Sequence, residues 1–115
     1  MDFALNAEQE LIQDTARAMT ARDIQPILDA HDADTPLPKP ALLEIYGVLA
    51  EQRLMAPRLS ADDGGAGLKM LEYGLVFEAL PPVIAISLLA QECTVARIFA
   101  ESSDEQRQRF LPDLL

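Results

Sequence analysis

Tryptophan is absent and aromatic residues make up 5% of the 115 residues, so the core has to be built from Leu, Ile, Val, Ala and Met. That palette suits packed helices better than a β-sandwich. One cysteine, Cys93, excludes an internal disulfide framework, and its place in an apolar run predicts a small buried core residue. A single histidine, His31, has no partner at metal-ligand spacing and reads as a solvated loop residue. With one His and one Cys, no Ser-His-Asp, Cys-His or zinc arrangement can be assembled. Basic residues are few: nine Lys and Arg against nineteen Asp and Glu give a net charge of −10. Such a surface disfavours phosphate backbones and anionic lipid, hence nucleic acid and membrane surfaces as partners. No basic stretch followed by an apolar one stands at the N-terminus, and the greasiest run, Ala79 to Ala90, carries Pro81, Pro82 and Ser87. It is short of the roughly 20 residues a bilayer span needs, so the expectation is a soluble cytoplasmic protein.

Half of the residues are hydrophobic, enough for one folded domain. The chain is organised around residues 54–80. There an extended apolar segment, Leu54-Met55-Ala56-Pro57-Arg58-Leu59, enters an acidic turn and Gly64-Gly65-Ala66-Gly67, and a helix follows. Three glycines in four positions predict a tight turn using backbone angles closed to residues with a Cβ. Asn6 with Gln9 predicts a capping box opening a first helix, on which Leu11, Ile12, Thr15, Ala16 and Met19 form an apolar face. Pro26 removes a backbone donor and predicts a kink near Asp23. Pro40 suits the first turn of a second helix with Leu42, Leu43, Tyr46, Val48, Leu49 and Leu54 as its apolar stripe, and Glu44 and Glu51 in water. Ser60 is placed to cap one turn through Asp63.

A third helix is expected over about 68–80, with Leu68, Leu71, Leu75, Val76, Ala79 and Leu80 as its apolar side. Gly74 within it predicts close packing of another helix. Pro81-Pro82 ends that helix and Pro82 opens a fourth, roughly 83–101, apolar nearly all round and therefore expected near the centre of the bundle or under another domain. Ser103 with Gln106 predicts a second capping box and a short last helix ended by Pro112. The fold class is all-α, an up-and-down bundle of about five helices.

The glycine turn is not a phosphate cradle. A P-loop needs a preceding strand and Lys-Ser or Lys-Thr, a dinucleotide loop needs wider glycine spacing, and Asp62 and Asp63 would repel an anion. The same two aspartates lack EF-hand spacing. Glu72 and Glu78 lie six residues apart, on different helix faces, and make no catalytic pair. From the residues alone no complete active site can be assembled.

The order of motifs is more telling: Phe3-Ala4-Leu5-x-x-Glu8-Gln9, then Ile24-Gln25-Pro26-Ile27 with His31-Asp32, then Leu54-Met55-Ala56-Pro57. Asp63-Gly64-Gly65-Ala66-Gly67-Leu68 and Tyr73-Gly74-Leu75-Val76-Phe77-Glu78-Ala79-Leu80 follow, and Asp104-Glu105-Gln106-x-x-x-Phe110-Leu111-Pro112 ends the series. This colinear set resembles the N-terminal helical domain of the acyl-CoA dehydrogenases over essentially the whole chain. The Gly-Gly-Ala-Gly turn and the Glu-Gln…Phe-Leu-Pro ending are its most specific parts. Leu80-Pro81-Pro82-Val83 departs from the family, which has more polar residues at this junction, and Asp62-Asp63 stand where an aromatic commonly precedes the glycines.

The resemblance implies an FAD flavoprotein, oligomeric, that oxidises the Cα–Cβ bond of an acyl-CoA thioester. A base removes the α proton, hydride passes to flavin N5, and electrons go on to an electron-transfer flavoprotein. It implies that residues 1–115 are one wall of the acyl pocket, lined from the fourth helix by Ala85, Ile86, Leu89, Ala90 and Cys93. A middle β-domain and a C-terminal helical domain, with the catalytic glutamate and most FAD contacts, would begin after Leu115. No catalytic residue, no metal site and no FAD binding by this chain alone are therefore expected. Two other readings stay open: a stand-alone helical binding or assembly module derived from that fold, which would self-associate or dock on a partner, and a small acyl-chain carrier.

Overall fold

The computed structural model describes residues 4–115; Phe3, the first residue of the opening motif, lies outside them. Six α-helices are present: α1 (Ala7–Met19), α2 (Gln25–Asp29), α3 (Lys39–Glu51), α4 (Met70–Ala79), α5 (Pro82–Glu101) and α6 (Asp104–Phe110). A π-helical turn, Thr20–Ile24, joins α1 to α2 without a break, so the two make one continuous helical run and the bundle has five. No strand occurs among the described residues.

Local chemistry sets most of these boundaries. Asn6 Oδ1 accepts from the Gln9 amide at 2.9 Å while Gln9 Oε1 accepts from the Asn6 amide at 3.0 Å, closing the predicted box. Ser103 and Gln106 repeat it at α6. A π turn ends two residues before Pro26, whose missing donor predicts an irregularity in the helix there. Helix α4 begins at Met70, two residues later than expected. The Leu68 amide donates instead to the Pro57 carbonyl at 2.9 Å, pinning residue 68 to the loop.

The helices form a slab, 43 × 40 × 21 Å, about two helix diameters thick. Helix α1 packs on α4, the π turn on α3, and α5 on α6. The main core joins Ile24, Ile45, Leu49, Val76, Ile84 and Leu88; a second cluster holds Ala56, Val95 and Leu111. The surface, 7490 Å², exceeds the roughly 6,200 Å² usual for a monomer of this mass.

Several expectations about facing need correction. Leu43 and Leu71, assigned inward, are exposed, while Ile45 is fully buried. Among the described residues, no atom of another element lies within 4 Å of where a Cβ on Gly74 would be, so none of the described helices packs closely there. Helix α5 feeds both clusters, yet its other side is open, with Val83 and Ile86 exposed. His31 is half-buried, its Nδ1–H donating to the Ile27 carbonyl at 2.8 Å. Finally, α5 runs 20 residues and, by length and composition, is long and apolar enough to cross a membrane. The expectation from the shorter 79–90 run missed this because Pro82 starts the helix instead of interrupting it. In the fold its buried Glu92 is held in an ion pair by Arg58 from outside the helix, which a span through hydrocarbon would break.

Candidate functional site

Helical periodicity divides α5 into two sides. Ile84, Leu88 and Val95 are wholly buried and point into the cores. On the opposite side Ile86, Leu89, Ala90 and Cys93 are all exposed, at spacings of three and four residues, and make an outward apolar stripe with Val83. Ala85 sits at the margin, half-buried against the main core. Four of the five predicted wall residues thus share one open side, and the fifth borders it. Cys93 is not the buried core residue expected: its position faces away from Val95 and Leu88, and the thiol is exposed.

Beside the stripe lies a charged cluster that the sequence reading passed over. Glu92, one residue before Cys93, is 2% exposed and is the one buried charged residue among those described. Arg58, from the extended segment, donates to it through both Nε (2.7 Å to Oε1) and Nη2 (3.3 Å to Oε2). Its guanidinium also lies 5.2 Å above the Tyr73 ring, which packs tilted on Phe77 at 4.5 Å. The hydrogen bond to Glu92 raises the Arg58 pKa above its ordinary value. Two opposite charges, each alone in an apolar stretch, were the available signal. Their separation of 34 residues hid the pairing.

The Tyr73 hydroxyl is buried with no hydrogen bond of normal geometry. Burial first, and the Glu92 carboxylate second, push the phenol pKa well above its usual value. A raised folded-state pKa favours the protonated form. Unfolded tyrosine ionises near pH 10, so stability is full below that and falls as pH rises beyond it. Urea unfolding from pH 8 to 11.5 is expected to show an alkaline decline that Tyr73→Phe reduces; equal declines in both proteins would refute the assignment.

The glycine turn forms as the sequence predicts. Ser60 caps the 3₁₀ turn Ala61–Asp63, and Gly64 and Gly67 have φ of +91° and +68°. The amides of Gly64, Gly65 and Gly67 donate to the carbonyls of Ala61, Ser60 and Leu59. None of the three is left for an anion. Between this turn, α1 and α4 is a hollow of about 280 Å³, lined by Leu11, Ile12, Met19, Leu54, Leu68 and Val76 among others. It takes in none of the five predicted wall residues. No group of acids, His and Cys suited to a metal ion occurs among the described residues.

The open side of α5 is therefore an apolar stripe that includes the exposed Cys93 thiol, with the Arg58–Glu92 pair beside it. Residues 6–115 match the family described as "Acyl-CoA dehydrogenase, N-terminal domain". Over 118 residues the chain is 29% identical to a short-chain-specific acyl-CoA dehydrogenase of Clostridium acetobutylicum, covering 99% of the chain and 30% of that protein. Over 111 residues it is 26% identical to a cyclohex-1-ene-1-carbonyl-CoA dehydrogenase of Syntrophus aciditrophicus, covering 94% of the chain and 26% of that protein. The chain thus spans less than a third of either relative's length. No solved structure matches.

Proposed function

Because the chain belongs to the acyl-CoA dehydrogenase family, through the N-terminal domain of that family, we propose that α5 supplies one wall of the acyl pocket of an FAD-dependent acyl-CoA dehydrogenase. The observation that supports it most is the outward stripe Ile86, Leu89, Ala90 and Cys93, apolar and unoccupied by the core. An acyl chain laid along it would be desolvated by side chains with no competing polar group. The thioester chemistry belongs to parts of the protein outside this domain. So does FAD: the turn amides are already hydrogen-bonded and Asp62 and Asp63 stand beside them, so the glycine turn does not fit a flavin pyrophosphate. Assembly into a homo-oligomer, a cytoplasmic location and electron transfer to a flavoprotein acceptor complete the proposal.

The test uses the polypeptide of the complete reading frame and butyryl-, hexanoyl- and octanoyl-CoA. Ala90→Phe is expected to lower kcat/KM for the longest acceptable chain about 10-fold or more and to spare the shortest, the discrimination typical of a filled apolar pocket. Ala90 is exposed, so unfolding stability should move by no more than about 0.5 kcal/mol. An unchanged length profile would reject the wall.

A further inference from the structure

We propose that Arg58 and Glu92 are a positioning pair that fixes the rotation and register of α5, and so decides which side chains face the acyl group; this rests on the function proposed above. Helix α5 is apolar nearly all round, through Val83, Ile84, Ile86, Leu88, Leu89, Val95, Ile98 and Phe99. A shift of one residue turns a helix by about 100° and would bring Ala85, Leu89 and Ala96 where Ile84, Leu88 and Val95 now sit. Apolar packing alone separates such registers poorly, whereas a single buried polar group separates them sharply.

Among the described residues, three polar contacts reach the helix from other elements. Ser87 meets the Tyr46 hydroxyl, and Gln91 Nε2 donates to the Leu114 carbonyl at 2.8 Å. Glu92 alone brings a full charge into the interior, and only the observed register gives that charge its bidentate partner. The partner stands on a stiff support. The carbonyls of Pro57 and Leu59, on either side of Arg58, accept from Leu68 and Gly67, and Gly65 is wedged against Leu59. Position is thereby passed from the glycine turn to the middle of α5, within one helical turn of Leu89, Ala90 and Cys93.

The expected signature is a loss of discrimination without a matching loss of fold. In the polypeptide of the complete reading frame, Glu92→Leu keeps its unfolding midpoint close to wild type, because the substitution removes the buried charge itself and the Arg58 left behind, 41% exposed, keeps its contact with water. Its preference among butyryl-, hexanoyl- and octanoyl-CoA, read as ratios of kcat/KM, falls about fivefold or more, through KM more than kcat. The exchanged pair, Arg58→Glu with Glu92→Arg, restores at least half of the lost preference on a logarithmic scale. Where Glu92→Leu fails to fold, the shape-conserving Glu92→Gln is read by the same ratios. Ratios like wild type, or all substrates reduced by one common factor, overturn the pair's positioning role and leave the acyl wall standing. A wild-type protein that oxidises none of the three overturns the proposed function and this inference with it.

Discussion

Gly65→Ala is expected to destabilise the protein by about 3 kcal/mol, the upper end of what overpacking costs. A Cβ built on Gly65 would lie 2.1 Å from the Leu59 carbonyl oxygen and 2.6 Å from that of Ala56. Both obstacles are backbone, and the Leu59 oxygen already accepts the Gly67 amide, so neither can move without opening the turn. The residues displaced include Ala56 and Leu59, which pack in the second cluster, so the damage would spread to Val95 and Leu111. Total stabilities of such domains are about 5–15 kcal/mol, making this a large fraction. Gly74→Ala is the control. It sits in the interior of α4 with open space where a Cβ would go, and should stabilise by about 0.5–1 kcal/mol through helix propensity. Urea midpoints of the two variants would move in opposite directions. Equal, small shifts would mean that the 60–67 turn is not wedged as described.

Leu88→Ala carries the second large effect, an expected loss of about 3 kcal/mol, because Leu88 is wholly buried in the main core and its removal leaves a cavity. Leu89→Ala, one residue on and 45% exposed, should cost less than about 1 kcal/mol. The same pair is expected to reverse in order when acyl-CoA turnover is read. Leu89 lies on the proposed wall, and Leu88 reaches it only through the fold. A larger stability loss at Leu89 than at Leu88 would show that α5 is rotated from the orientation described, and would remove the basis for the wall.

These contrasts mark where the sequence is a sufficient guide. Asn6 with Gln9, Ser103 with Gln106, the cap at Ser60, the π turn before Pro26 and the start of α5 at Pro82 are all settled within three or four residues. The forces involved are short hydrogen bonds and fixed proline angles, so neighbours in the chain suffice to state them. The order of those signals, with the glycine turn between, also carried the family likeness that the match over residues 6–115 establishes.

What the sequence by itself determined is therefore an all-α chain, its punctuation and its lineage. Periodicity placed Ala16, Met19, Leu49 and Val76 inward correctly, but tertiary structure decided the facing of α5. In α5 apolar residues stand on every side, so periodicity could not tell the buried Leu88 from the exposed Leu89, nor show that Cys93 is exposed. It also decided that Arg58 and Glu92 meet. The physical reason is common to all of these: hydrophobic burial has no direction and does not choose among apolar faces of one helix. The choice falls to contacts between residues far apart in the chain, made only once the slab is assembled.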